Sequence, residues 1–261
     1  MCLIFVALKR HPEYPLIVAA NRDEFFERPT QALHRWDSGV FAGKDLTAGG
    51  TWMGFTKTGR FAALTNYRDP NNSVNNPISR GQLVADFLQS ENQAEDYLKA
   101  VECNHDRYEG FNLLVGNTEN LWYFSNKSQP DSFKQNAAPL AAGIYGLSNH
   151  LLDKPWPKVS QGKQAFEEIV VRQRQTTETL VGNLFNVMNH REQANDELLP
   201  NTGVGLEMER YLSPRFITTP FGRYGTRCST VLLCDKNGAA FMYEKTWNAS
   251  GQETEFVELT I

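Results

Sequence analysis

The sequence predicts an α+β fold in which antiparallel sheet carries segregated helices. Three observations lead there. Apolar, β-branched runs come in pairs joined by short turns at both ends of the chain; helical periodicity is confined to the middle; and strands do not alternate with helices as βαβ crossovers would require. A chain of 261 residues can bury a sizeable core, and one domain spanning 1–261 is expected.

The first pair is CLIFVAL at 2–8 and PLIVAA at 15–20, joined by a Pro-containing turn and ending at Asn21. TWMGF and RFAALTNYR flank TKTG and form a second hairpin, with Gly59 as its turn residue and a polar end at Asn66, Tyr67 and Arg68. NPISRGQLVADFLQ reads as a helix, with Ser79 as N-cap and Leu83, Phe87 and Leu88 on one face. NQAEDYLKAVE is a second helix. GFNLLVGNTENLWYFSN is a third hairpin, and GIYGLSNH is a strand that ends at Ser148, Asn149 and His150. Helical spacing returns from Pro155 to about Met188, residues 189–225 read as polar loop, and three strands, TRCSTVLLCD, AAFMYEKTW and ETEFVELTI, close the chain. PNNSVNNP, at 70–77, is a surface loop.

Composition narrows the partners. A net charge of -4 and 41% hydrophobic residues describe a water-exposed globule without the basic face that a polyanion needs, so nucleic acid is not an expected partner. No apolar stretch approaches the roughly 20 residues of a membrane-spanning helix, and the N-terminal run lacks the layout of a signal peptide. Four scattered cysteines suit a reducing compartment, so the cytoplasm is the expected location. The sequence contains neither a phosphate-binding glycine loop nor paired histidines or cysteines at metal spacing; no cofactor and no metal are expected.

Chemistry concentrates at position 2. Trimming of Met1 before a small side chain would leave Cys2 as a mature terminus, holding a thiol and an α-amine that can act as its own base. Such a site also needs a cation near sulfur, a carboxylate to hold the ammonium, and amide donors for an oxyanion. The hairpin brings Asn21, Arg22 and Asp23 close to Cys2, so Arg22 supplies the cation and Asp23 the carboxylate. Asn66 and Asn149, at the ends of apolar strands, are the donors. Asn21, Trp52 and Tyr67 are candidates for binding a small-molecule substrate or ligand, since some aromatic residues can line an apolar pocket. Taken singly, each residue has an ordinary structural explanation; the repeated design of an apolar strand with a polar tip is what sets them apart.

Several motifs in order, namely MCLIFVAL, AANRDEFFERPT, AGGTWMGFTKTGRFAALTNYRDP, SRGQLVADFL, GIYGLSNHLLD and TRCSTVLL, make the chain resemble the NRDE family, also called the transport and Golgi organization protein 2 family. That resemblance implies a branch of the N-terminal nucleophile (Ntn) hydrolases, with a four-layer αββα sandwich and linear-amide hydrolysis as in bile-salt hydrolases and penicillin V acylases. It implies Cys2 as nucleophile, the Arg/Asp pair within Asn21 to Asp23, the two Asn positions at Asn66 and Asn149, and a later Arg at Arg227. Those acylases separate the Arg and Asp by two residues, whereas Arg22 and Asp23 are adjacent here, so either Asn21 takes the Arg's place or the loop is reshaped. Glu24 has no acylase counterpart and is expected to bond backbone at the turn. The resemblance also implies a rival function, non-catalytic handling of an apolar metabolite such as haem or an acyl-CoA.

Overall fold

The computed structural model describes residues 2–71, 73–128, 136–172 and 174–261. Among the described residues, thirteen strands form two antiparallel sheets. The first runs in the order β10 (Gly143–Leu147), β1 (Cys2–Leu8), β2 (Leu16–Phe25), β11 (Tyr224–Cys234), β12 (Ala240–Trp247) and β13 (Glu253–Thr260). The second is β3 (Thr30–Arg35), β4 (Val40–Asp45), β5 (Met53–Thr56), β6 (Phe61–Asn66), β7 (Phe111–Gly116), β8 (Leu121–Ser125) and β9 (Ala137–Pro139).

Strand periodicity explains why the layers stack. Along β1, Ile4, Val6 and Leu8 join a core that also holds Phe61, Ala63 and Leu114 of the second sheet. The alternate residues Leu3, Phe5 and Ala7 join a different core with Phe166, Leu180 and Leu184. A strand buried on both faces must read as a continuous apolar run, which CLIFVAL does. Each fully buried Leu, Ile, Val or Phe contributes about 1.5–3 kcal/mol of transfer free energy. The outer helices are α1 (Gly81–Gln89) and α2 (Ala94–Glu102) on the second sheet, and α3 (Pro157–Val170) and α4 (Thr177–Met188) on the first. The order is therefore helix, sheet, sheet, helix.

Pro157 opens α3, where its missing N–H and fixed φ cost nothing. Phe166 then stacks on Phe5 at 5.7 Å between ring centroids. Helix α4 begins on Thr176, whose hydroxyl accepts from the Thr179 N–H. The periodicity from 155 to 188 thus resolves into two helices. Two other expectations change in detail, and two strands appear where none was predicted. The N-cap of α1 is Arg80 rather than Ser79. Residues 30–45 supply β3 and β4, which their mixed polarity concealed, and the segment 189–225 contains a short helix, α5 (Leu206–Tyr211).

One close approach places the start of α1. A Cβ on Gly50 would lie 2.5 Å from the Gly81 carbonyl carbon and 2.8 Å from the Gln82 nitrogen, both backbone atoms that cannot step aside cheaply. The neighbouring Thr51 N–H donates to the Gly81 carbonyl at 3.2 Å. Gly50→Ala is expected to push α1 off the sheet and lower stability by about 1–3 kcal/mol, measured as a shifted urea midpoint with an unchanged m-value.

Candidate active site

Cys2 is the first residue of β1, a strand held between β10 and β2, and it lies opposite Arg22, which in turn lies opposite Cys228 of β11. These three residues share the parity of Ile4 and Ala20, so they belong to the face that meets the second sheet. A cavity of about 370 Å³ opens there, with Cys2, Arg22, Asp23, Trp52 and Asn66 in its lining. The volume suits a small molecule.

Arg22 is almost fully buried and held on several sides. Its Nη1 donates to the Thr30 hydroxyl at 3.0 Å, its Nη2 lies 3.4 Å from Asp45 Oδ2, and its guanidinium sits 4.5 Å from the centre of the Trp52 ring. Asp45 is shared with Arg28, whose Nε donates to it at 2.6 Å. Thr30, Asp45 and Arg28 are parts of the site that sequence reasoning missed. Their only signal was proximity to the polar turn after β2.

Adjacent strand residues normally face opposite ways, yet Arg22 and Asp23 both reach the cavity. Beside them the neighbouring strand is irregular: Asp23 pairs with Thr226 and Arg22 with Cys228, so β11 carries an extra residue between these two partners. The Thr226 hydroxyl donates to Asp23 Oδ1 at 2.7 Å. Burial pushes the Asp23 carboxyl up, while the positive charges of the chain's amino terminus, Lys158 and Arg68 and the Thr226 hydrogen bond draw it down. Behind it lies a buried ion pair, Arg68 Nη1 to Glu209 Oε2 at 2.7 Å, and the buried Lys158, whose Nζ donates to the Leu212 carbonyl at 3.0 Å.

The extra residue in β11 is Arg227, and the structure does not bring it into the Cys2 cavity. Its Nη1 donates to the carbonyls of Phe25 and Arg28 at 2.8 and 3.0 Å, pinning the turn between β2 and β3. It lines a separate cavity of about 60 Å³ beside Cys228 and Glu244. Asn21 also turns away. Its Nδ2 donates to the Met188 and Arg215 carbonyls at 2.9 and 2.8 Å, and its Oδ1 accepts from Ser229 at 2.6 Å, which ties the sheet to the helical layer. Tyr67 does not line the Cys2 cavity either; its hydroxyl meets His150 Nε2 at 3.0 Å.

Asn66 arrives from β6 of the other sheet and lines the cavity. The fully buried Asn149 stands behind it. Its Nδ2 donates to the Asn66 carbonyl at 2.9 Å, its own carbonyl accepts from the Arg68 N–H at 2.8 Å, and Ser148 Oγ donates to the Cys2 carbonyl at 3.4 Å. Of the residues predicted from the sequence, Arg22, Asp23, Trp52 and Asn66 therefore join Cys2 in the cavity lining, while Asn149 holds the backbone of Asn66. Glu24 also lines the cavity, and its Oε1 accepts from the Phe25 N–H at 2.9 Å, bonding backbone at the turn.

Burial pushes the Cys2 thiol up, opposed by the amino terminus and by Arg22. A thiol raised in this way stays protonated where an ordinary one has ionised. Alkylation of Cys2 by iodoacetamide is expected to keep accelerating above about pH 9, where a reference cysteine peptide has levelled off. Peptide mapping after timed quenching reads both rates; a plateau at or below that of the peptide would contradict the burial effect. Among the described residues no group of three His, Cys, Asp or Glu side chains is arranged to hold a metal ion, and no helix is long and apolar enough to cross a membrane.

Two face-to-face antiparallel sheets between helical layers form an αββα sandwich, the Ntn-hydrolase-like fold. The fold is similar to that of the C2A mutant of conjugated bile acid hydrolase from Clostridium perfringens, with a TM-score of 0.53 and 8% identity over 100% of this chain and 92% of that one. The chain belongs to the family described as Transport and Golgi organisation 2, matched over residues 1–249. It is 37% identical to the Transport and Golgi organization protein 2 homolog of Bos taurus, over 94% of this chain and 93% of that protein. To the Mus musculus homolog it is 34% identical, over 100% and 99% respectively.

Proposed function

We propose that the chain is an N-terminal-cysteine hydrolase that cleaves a small amide or thioester through an acyl-Cys2 intermediate, after removal of Met1. The supporting observation is the convergence of Cys2, Arg22, Asp23 and Asn66 on one cavity from strands of both sheets. In this reading the Cys2 α-amine takes the thiol proton as sulfur attacks the carbonyl carbon, and the ammonium so formed is held by Asp23. The carbonyl oxygen becomes an oxyanion facing the Asn66 amide, which Asn149 positions through the Asn66 backbone. Collapse breaks the C–N or C–S bond, and the leaving group takes the proton from the ammonium. Water then attacks the thioester, giving its proton to the same amine, and the acid departs with Cys2 restored.

The rival reading, a carrier of an apolar metabolite such as haem or an acyl-CoA, is met by a charged lining: Arg22, Arg28 and Arg80 stand against Asp23, Glu24, Asp45 and Glu109. His150 lies outside that lining and is engaged with Tyr67. Charges on walls that also hold Trp52, Leu64 and Ile78 favour a small substrate with polar groups over a wholly apolar cargo. The cytoplasm, where free thiols persist, is the compartment consistent with the four unpaired cysteines.

Intact-mass measurement of C-terminally tagged protein tests the proposal. The expected result is loss of one methionine, followed by a mass increase on Cys2 when the protein is acid-quenched during incubation with small thioesters and activated amides. Retention of Met1, or adducts that map only to other cysteines, would overturn it.

A further inference from the structure

The three arginines of the cavity are not equivalent. Arg22 is fixed by Thr30, Asp45 and the face of Trp52, and Arg28 is fixed by Asp45. Arg80 has no carboxylate within 4 Å among the described residues, and its one hydrogen bond to them runs from Nη1 to the Gly110 carbonyl at 2.9 Å. No described residue accepts a hydrogen bond from its Nε or Nη2. A guanidinium edge of that kind donates two parallel hydrogen bonds to a carboxylate.

We propose that Arg80 is the specificity residue of this cavity and binds one carboxylate on the substrate. The substrate class is then a small amide or thioester bearing a single carboxylate, a conclusion that rests on the acyl-Cys2 reading above. Several features agree. Arg80 shares the cavity with Cys2 and lies within electrostatic reach of it. The nearby carboxylates have hydrogen-bond partners of their own: Glu109 Oε1 accepts from the Val74 N–H at 2.9 Å, Glu24 Oε1 from the Phe25 N–H, and Asp45 from Arg28 and the N–H groups of Thr47 and Ala48; Glu109, beyond 4 Å, is still the acid whose charge acts most on Arg80. The same acids limit the charge that is welcome. With Asp23, Glu24, Asp45 and Glu109 in the walls, a polyphosphate would meet strong like-charge repulsion, whereas one carboxylate needs one cation.

Two alkylating probes of similar size and opposite demand test this. Iodoacetate carries a carboxylate and iodoacetamide does not; in each, the Cys2 sulfur forms a bond to carbon and iodide leaves. The readout is the ratio of the two labelling rates at Cys2, with the exposed Cys103 of the same molecule as internal reference. In the natural protein the ratio is expected to be higher at Cys2 than at Cys103. It should fall about tenfold in Arg80→Gln, the order expected for losing a charge-assisted hydrogen bond, and be partly kept in Arg80→Lys. A ratio at Cys2 equal to that at Cys103 and indifferent to Arg80→Gln overturns this inference and leaves the acyl-Cys2 reading standing. Failure of Cys2 to take either probe removes both.

A second measurement needs no variant. Propionate is expected to slow iodoacetamide labelling of Cys2 in the natural protein at constant ionic strength, and propionamide at the same concentration is not. Equal slowing by the two overturns the assignment of Arg80.

Discussion

On the acyl-Cys2 proposal, Cys2→Ala is expected to abolish covalent capture and turnover while leaving the melting temperature within a few degrees of the natural protein. A complete loss is expected because Cys2 is the one thiol in the cavity lining among the described residues: the second cysteine of that face, Cys228, is buried, its thiol is pushed far up by burial, and it lies two strands away beside Glu244. The fold tolerates the change because only one sulfur is removed from the end of a strand whose remaining six residues are buried and paired. Cys2→Ser separates the two roles of the residue. It keeps the α-amine and a hydroxyl, so residual capture of reactive esters would show that the amine still acts as base, and no capture in the alanine variant would show that sulfur or oxygen must be the nucleophile. A protein with Met1 retained should match Cys2→Ala in turnover, since an amide nitrogen, its lone pair delocalised into the carbonyl, is not a base. Activity equal to that of the natural protein in either form would sink the mechanism.

The second large effect belongs to Lys158. Burial lowers its folded pKa to about 8, with Arg68 adding to the effect and Asp23 and Glu209 opposing it. An unfolded lysine titrates near 10.4. Between those values the unfolded chain holds a proton that the folded chain has given up, so stability rises with pH across that interval and is flat below about pH 8 on this account. The gain is roughly 3 kcal/mol, an order-of-magnitude figure from the distance between the two values. Lys158→Met removes the titrating group. The difference in unfolding free energy between natural protein and variant is therefore expected to move in favour of the natural protein from pH 7 to 10, as read from urea midpoints at matched pH. The offset at pH 7 is a separate quantity, because the variant also leaves the Leu212 carbonyl without its donor. Parallel pH profiles would show that the ammonium is not buried as described.

How much of this was legible in the sequence depends on which physical rule each residue obeys. The hairpin of β1 and β2 announced itself through continuous apolar runs, and the helices α1 and α2 through their spacing. Strands β3 and β4 did not, since Gln31, His34, Arg35, Lys44 and Asp45 break any alternation; their pairing is set by neighbours already in place. In the site, the proximity of Arg22 to Cys2 follows from simple hairpin arithmetic. Asn21 lies just as near in sequence but faces the helical layer, a matter of strand parity. Arg227 was carried over by resemblance alone, and its placement turns on one extra residue in β11 that no local signal marks. Arg80 and Glu109 reach the cavity from segments more than 75 residues from Cys2, so only the assembled second sheet and its helices reveal them.

The position of β1 inside its sheet also bears on how the protein can be handled. Cys2 opens that inner strand at the wall of the cavity, whereas Ile261 closes the chain beside the outermost strand, its N–H bonded to the Ala240 carbonyl. On the acyl-Cys2 proposal, a purification handle or fluorescent fusion ahead of residue 2 keeps the nitrogen beside the thiol acylated, and the product is expected to fold yet be inactive. The same handle after residue 261 hangs from the rim. Preparations that differ only in which end was extended are thus different reagents, and inactivity in the first kind says nothing about the second.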